Sequence, residues 1–437
     1  MKRTQKSIFI FWLPLAATWL MMAAEGPFLA AVIARLADPK FNLAAHGVAF
    51  AFALLIEAPV IMIMSASTAL AEDATSFRRL RAFTYALNAA VTGVMLVVLV
   101  PPAFRFLMQG VIALPDEIAR LTYRALWILL PWPGAIGYRR FYQGVLIRDG
   151  RTRLVAYGTV LRLTTMAATA VVLYLTLAPP GAYVGAAALA VGVSVEAVAS
   201  RLMARASVKA LLGTEVPEDD AREPLGYRRI VRFYYPLALT SLIGLAAQPM
   251  LTFFMGRARA PVESLAVFPV VVALSFIFRA MGLSYQEVAI ALVGKRYEHV
   301  RELGRFALGL GVASSVGLAL VALTPLAGFW FETVSGLSAE LARFAIVPTM
   351  ILVPIPFLSV ILSYQRGILV IAEVTQPITW ATAIEVGGIA VGFPILGWKL
   401  GMVGVTAAAT AFLVGRLASN LYLIPPCLRV IRQGGER

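Results

Sequence analysis

The chain repeats itself at long range, and in so apolar a sequence that duplication limits the fold more than any local pattern. Phe11-Trp12-Leu13-Pro14-Leu15-Ala16-Ala17-Thr18 returns as Phe233-Tyr234-Tyr235-Pro236-Leu237-Ala238-Leu239-Thr240, an offset of 222 residues. The same offset carries Pro27 onto Pro249 and Glu57 onto Arg279. After one extra residue it becomes 223, matching Phe83 with Phe306, Pro102 with Pro325, Pro131 and Pro133 with Pro354 and Pro356, and Gly144 with Gly367. Two copies of one membrane half, in the same order, predict the two-lobed body of an alternating-access carrier.

Of the 437 residues, 60% are hydrophobic and 14% charged, too apolar a balance for a soluble protein of this size. Apolar runs of about twenty residues, each enough to cross a bilayer core as helix, recur along the chain. They predict twelve spans, near 8–35, 45–71, 82–108, 118–147, 153–177, 182–211, 229–256, 262–293, 304–330, 339–370, 376–397 and 402–428. No strand-like alternation competes, so the fold class is all-α and integral to the membrane. Six spans per lobe is an even number, which gives the repeats parallel topology about a pseudo-twofold axis along the membrane normal. The lobes are residues 1–212 and 226–437, and the polar, acidic segment 213–225 reads as a cytoplasmic linker.

Lys and Arg mark the cytoplasmic side. Lys2, Arg3 and Lys6 precede the first span, Arg78, Arg79 and Arg81 follow the second, and Arg148, Arg151 and Arg153 follow the fourth. Arg429, Arg432 and Arg437 end the chain, so both termini are expected in the cytoplasm of a cell whose plasma or inner membrane holds the protein. This bias accounts for the formal charge of +15 without a nucleic-acid partner. The first span is too long for a cleaved signal peptide and is the repeat partner of the seventh. A single cysteine, Cys427, rules out an intrachain disulfide and a thiolate metal site. His46 and His299 are isolated. Without a nucleophile–base pair or a phosphate-cradling loop, the sequence points away from an enzyme and from direct ATP-driven transport. It implies no cofactor and no metal, and a carrier with its own central path is expected to work as a monomer.

Ionisable residues deep in a span are expensive and are functional candidates by default. Glu57 lies about halfway along the second span, and Arg279 is its partner in the eighth. Arg162 in the fifth span answers to Glu385 in the eleventh. With a later offset of 219, Glu196 in the sixth falls within one residue of Arg416 in the twelfth. An ion-pair network is therefore expected inside each lobe, with Glu57, Arg162 and Glu196 in the first and Arg279, Glu385 and Arg416 in the second. Fully ionised, these sets carry −1 and +1. Glu57 and Arg279 sit on spans expected to face the substrate path. Glu25, beside Gly26-Pro27, is a candidate proton or cation acceptor. Pro27 and Pro249 are candidate hinges, because proline removes a helical hydrogen bond and kinks the helix. Gly144 and Gly367, in Tyr142-Gln143-Gly144 and Tyr364-Gln365-Arg366-Gly367, are expected to permit close helix approach; Arg366 is a weaker candidate anion contact.

Several stretches carry a family resemblance: Pro14-Leu15-x-x-Thr18, Leu43-Ala44-x-x-Gly47-x-Ala49-Phe50, Phe233-Tyr234-Tyr235-Pro236-Leu237-Ala238-Leu239 and Gly144-Val145-Leu146. With twelve spans in two halves, they resemble the multidrug/oligosaccharidyl-lipid/polysaccharide (MOP) flippase superfamily, which includes the MATE exporters, and in local wording the Ank (progressive ankylosis) family. The Ank resemblance implies export of organic or phosphate-bearing anions such as citrate, nucleotides or pyrophosphate. The MATE resemblance implies export of organic cations in exchange for Na⁺ or H⁺; one MATE branch places an acidic residue for proton coupling in the first span, where this chain has Glu25. Three functions stay open: an anion exporter with Arg279 as the substrate's charge partner, a cation or drug antiporter using Glu57 and Glu25, and a lipid or lipid-linked flippase. In each the partners are a small-molecule or lipid substrate, the bilayer and, for the antiporter, H⁺ or Na⁺.

Overall fold

The computed structural model describes residues 4–435 apart from residues 24, 113, 214–224 and 295. At residues 27, 40, 111, 249, 262, 434 and 435 it describes the backbone alone. The expected linker lies almost wholly outside the described residues. The chain divides into two compact units, residues 21–234 and residues 1–20 with 235–437. They are called here the N-terminal and C-terminal units.

The helices are α1 (Gln5–Ala23), α2 (Glu25–Ile33), α3 (Pro39–Glu57), α4 (Ile63–Leu70), α5 (Ala74–Leu99) and α6 (Pro101–Arg105). A π-helical turn, Phe106–Val111, leads to α7 (Asp116–Ile128), α8 (Trp132–Arg148), α9 (Thr152–Thr176), α10 (Gly181–Met203) and α11 (Arg205–Leu212). The second copy runs through α12 (Tyr227–Met255), α13 (Pro261–Leu283), α14 (Tyr285–Leu292), α15 (Val300–Ala322) and α16 (Leu326–Gly328). After a second π-helical turn, Phe329–Val334, come α17 (Ala339–Ile351), α18 (Ile355–Ile371), α19 (Gln376–Phe393) and α20 (Gly404–Gly435). The two π-helical turns, α7 with α17, and α8 with α18 all lie 223 residues apart, so the sequence offset is also an offset in local backbone conformation. Left-handed residues repeat in the same way: Asp38 with Ala260, Gly150 with Glu373, and Ala178 with Gly401.

Side-chain contacts repeat as well. The first amides of a helix have no acceptor within it. In the N-terminal unit Asn42 Oδ1 accepts the Ala182 amide at 3.0 Å, at the start of α10. In the C-terminal unit Ser264 Oγ accepts the Val405 amide at 3.1 Å, at the start of α20. Trp12 Nε1 donates to the Met281 carbonyl at 3.1 Å, and its repeat counterpart Tyr234 donates through its hydroxyl to the Pro59 carbonyl at 2.5 Å. Their rings meet the matched partners Phe306 and Phe83. These contacts tie the beginning of α1 into the C-terminal unit and the first turns of α12 into the N-terminal unit.

Gly144 and Gly367 sit where helices touch. A Cβ at Gly144 would lie 1.7 Å from Ser67 Oγ and 2.5 Å from the Met64 carbonyl; at Gly367 it would lie 2.5 Å from Ala289 Cβ. Only glycine permits these approaches of α8 to α4 and of α18 to α14. The core of the C-terminal unit is apolar and continuous, drawing Leu251, Val267, Phe331, Ile389, Phe393 and Ala411 from five segments.

Among the described residues ten helices are long and apolar enough to cross a membrane, and α17 with α18, bent by 41°, makes eleven. The repeat counterpart of that bent pair, α7 with α8, is the twelfth expected span. It falls short on apolarity because it carries Asp116, Glu117, Arg120, Arg124, Arg139, Arg140 and Arg148. Two of these charges, Arg139 and Arg140, are buried.

One sequence expectation changes. The offset stays at 223 into the last helix pair, where α10 begins at Gly181 and α20 at Gly404, instead of falling to 219. Glu196 therefore corresponds to Ser419, and Arg416 to Val193. Charge reversal between the repeats holds for Glu57 with Arg279 and for Arg162 with Glu385, but not for Glu196 with Arg416.

Candidate functional site

In the N-terminal unit, α8 places Trp132, Arg139 and Gln143 at separations of seven and four residues, which lie along one helix face. Arg139 Nη1 donates to Glu196 Oε2 at 2.8 Å, and Gln143 Nε2 donates to Glu196 Oε1 at 3.0 Å. Thr159 Oγ1 adds a bond to the same oxygen at 3.3 Å, and Arg162 Nε lies 3.3 Å from Oε2. Glu196 is fully buried, so this shell replaces the water it lost. The other face of Arg162 pairs with Glu25 at the start of α2. Glu57 is buried at the end of α3 and accepts the Trp132 indole N–H at 2.5 Å.

Arg162, Glu196 and Glu25 are thus brought together. Glu57 instead sits with Trp132, and among the described residues no ion-pair partner lies on it. The expected charge of −1 for this lobe is corrected. Arg139 and Arg140, both buried, join Arg162 against Glu25, Glu57 and Glu196, so three guanidiniums balance three carboxylates. Physically, a surplus carboxylate with no water around it would be costly. The signal was legible: two adjacent arginines stand inside the apolar run 118–147 rather than beyond its end.

In the C-terminal unit the geometry differs. Arg416 on α20 grips Glu385 on α19 through two bonds, Nε to Oε2 at 2.9 Å and Nη2 to Oε1 at 2.7 Å. Such a parallel fork fixes both side chains. The remaining nitrogen, Nη1, donates to Ser359 Oγ on α18 at 2.9 Å. Arg366 on α18 donates to Thr382 Oγ1 at 2.8 Å, one turn before Glu385. Arg279 on α13 lies with its guanidinium carbon 5.1 Å from the centre of the Phe412 ring, and Arg416 stands 5.2 Å from the same centre. Such stacking orients a cation but does not neutralise it.

Arg279 has no carboxylate partner among the described residues, and the Nε atoms of Arg279 and Arg366 are buried without an acceptor. The cluster therefore holds three guanidiniums against one carboxylate, a surplus of +2 where the sequence set gave +1. A partly buried cation surplus carrying unpaired donors is a setting that an anion would complete. Arg366 is the residue that sequence reasoning undervalued, because it stands near the end of its span and reads as a boundary charge. Among the described residues no group of three or more His, Cys, Asp or Glu could hold a metal ion.

The candidate hinges are helical on both counts. Pro27 lies in α2 and Pro249 in α12.

No protein-family model and no curated protein matches the chain. Solved structures do. A MATE transporter in the bent conformation aligns with a TM-score of 0.78 at 15% identity, covering 100% of this chain and 98% of that one. The eukaryotic MATE transporter AtDTX14 aligns at 0.77 and 13% identity, covering 99% and 98%. A MOP superfamily transporter from Pyrococcus furiosus Vc1, described as having reverse polarity of its binding pocket, aligns at 0.74 and 16% identity, covering 98% and 96%. End to end, the fold is that of the MATE transporters.

Proposed function

We propose that the protein is a secondary transporter that exports a small organic or phosphate-bearing anion, and that Arg279 and Arg366 bind it. The observation that carries this reading is the cation surplus around Phe412, where two buried guanidinium nitrogens point at no acceptor. A carboxylate or phosphate placed there would satisfy both and offset the surplus. Arg416 is held by Glu385 and Ser359, so it frames the site while Arg279 and Arg366 remain to meet substrate.

The MATE fold supports a transporter working by alternating access, and the local resemblance to the Ank family supports citrate, nucleotides or pyrophosphate as cargo. Reversed pocket polarity in another structure of this fold supports the idea that the scaffold accommodates either sign of substrate. The lobes at 1–212 and 226–437, hinging near Pro27 and Pro249, would supply the motion, with both termini in the cytoplasm and a single chain as the working unit.

A second reading follows from Glu57, a buried carboxylate held by an indole rather than a guanidinium. It would serve a cation antiporter coupled to H⁺ or Na⁺. The balanced charge of the N-terminal unit against the +2 of the C-terminal cluster favours the anion.

The test is efflux from proteoliposomes loaded in parallel with citrate, pyrophosphate, ATP or an organic cation. The anion reading predicts efflux of one or more of the anions, lost in Arg279→Gln and Arg366→Gln while the folded protein persists. Efflux of the cation alone, abolished by Glu57→Gln, would replace it with the second reading.

A further inference from the structure

A groove in the C-terminal unit stands apart from the arginine cluster. On α15, Leu308, Val312, Val316 and Leu320 recur every fourth residue and are 52%, 54%, 50% and 55% exposed. In a membrane-spanning fold, an apolar stripe of this kind is a lipid-facing surface. One position round the helix, bulk disappears at Gly309 and Ala313, and a Cβ added to Gly309 would meet nothing within 4 Å. The furrow this leaves is walled by α1, α13 and α15 and has a volume of about 700 Å³.

The furrow is mainly apolar and cationic at one end. Phe9, Phe278, Met281 and Phe306 line it, and Trp12 spends its indole N–H on the Met281 carbonyl, which removes the one polar atom its ring could present. At the end where α1 and α15 begin, Lys6 and Arg305 line the rim, and both are exposed. Glu302, one turn before Arg305, gives the rim its backbone carbonyl, which accepts from Gln5 Nε2 at 2.9 Å; its carboxylate is not part of the lining.

A long apolar furrow ending in two cations at a helix boundary has the charge and polarity pattern of a phospholipid with an anionic headgroup. We propose that this groove binds an anionic glycerophospholipid, with its phosphate between Lys6 and Arg305 and one acyl chain along Phe9, Phe306 and the Gly309–Ala313 face. Long basic side chains reaching to the headgroup level are well suited to this role. Because α1 supplies one wall, the lipid holds the start of α1 against α13 and α15. The site shares no residue with the proposed transport site, so either can fail without the other.

The test uses the full-length protein, delipidated in detergent and titrated with dioleoyl-phosphatidylglycerol or dioleoyl-phosphatidylcholine, with bound lipid read by native mass spectrometry. Phosphatidylglycerol should bind at least about tenfold more tightly than phosphatidylcholine. Lys6→Gln with Arg305→Gln should weaken phosphatidylglycerol about thirty-fold, the loss expected from two cation contacts at a membrane surface. Ala313→Trp, which fills the furrow from an exposed position, should weaken both lipids. Equal affinity for the two lipids, or an unchanged preference in the double variant, would overturn the proposal. So would competition by inorganic phosphate alone at millimolar concentration, which would make the rim a free-anion site, or full lipid binding in Ala313→Trp.

Discussion

Replacing Glu385 with glutamine tests whether the C-terminal cluster carries its charge as described. The carboxylate accepts two bonds from Arg416 at 2.9 and 2.7 Å, and both side chains are buried. Glutamine keeps the volume and one acceptor but removes the only negative charge described in the cluster, leaving Arg279, Arg366 and Arg416 unopposed. Breaking a buried pair by removing one partner costs about 3–5 kcal/mol. The double variant Glu385→Gln/Arg416→Gln removes the stranded charge as well, so its loss should fall short of the summed single losses by about 2–3 kcal/mol. Arg366→Gln removes a cation bound to a neutral hydroxyl and relieves repulsion, so it should stay within about 1 kcal/mol of the parent. Equilibrium unfolding of the purified protein in mixed micelles measures all four. A loss below about 1 kcal/mol for Glu385→Gln, or additive losses in the double variant, would refute the assignment of Glu385 as the cluster's counter-charge.

Three further outcomes follow from the repeat and the packing. Gly144→Ala and Gly367→Ala should each destabilise by about 1–3 kcal/mol through overpacking, whereas Gly387→Ala, with open space around the added methyl, should stabilise by up to about 1 kcal/mol; thermal unfolding distinguishes them. Trp12→Phe and Tyr234→Phe each delete one hydrogen bond at matched positions, and each should cost about 1 kcal/mol in the same assay. Arg139→Gln leaves Glu196 short of its closest cation and should lower stability by about 3 kcal/mol, with partial recovery in Arg139→Lys; no change would mean that Arg162 alone satisfies Glu196.

Much of the architecture was legible because it rests on periodic, redundant signals. Apolar run length gave the spans, and recurring prolines and glycines gave the duplication that the matched π-helical turns share. Gly144 and Gly367 were readable as close approaches, since a helix interior rarely keeps glycine without a packing reason. What escaped depends on contacts between helices distant in sequence. Asn42 and Ser264 are different residues performing the same capping of a distant helix, and no local pattern links them to Ala182 or Val405. Arg366 stands near the end of its span, where a basic residue ordinarily reads as a boundary marker. Its bond to Thr382 on α19 draws it into the cluster, a contact that hydropathy along the chain does not report. The shift of Glu196 from Arg416 to Ser419 in the alignment has a similar origin: Val-Gly pairs are common in apolar helices, and one such match outweighed the true register.

Charge accounting separates the two units more sharply than the residue types alone. In the N-terminal unit three buried arginines match three carboxylates in number, although Glu57 bonds Trp132 and not a guanidinium. Buried guanidinium Nε atoms without an acceptor occur in both units, on Arg139 in the first and on Arg279 and Arg366 in the second, but among the described residues the surplus of +2 belongs to the C-terminal cluster. A surplus of cations over carboxylates in a membrane interior calls for an anion to offset it, which is why the cluster around Phe412 carries the functional reading.

The most direct measurement is a metabolite profile of the medium around cells expressing the protein, beside cells expressing Arg279→Gln at equal membrane abundance. The account predicts enrichment of an organic or phosphate-bearing anion that disappears in the variant, since one lost charge-assisted contact of about 1.5–3 kcal/mol lowers affinity roughly ten- to hundredfold. An anion profile identical in the two cultures, with folded protein present in both membranes, would contradict it.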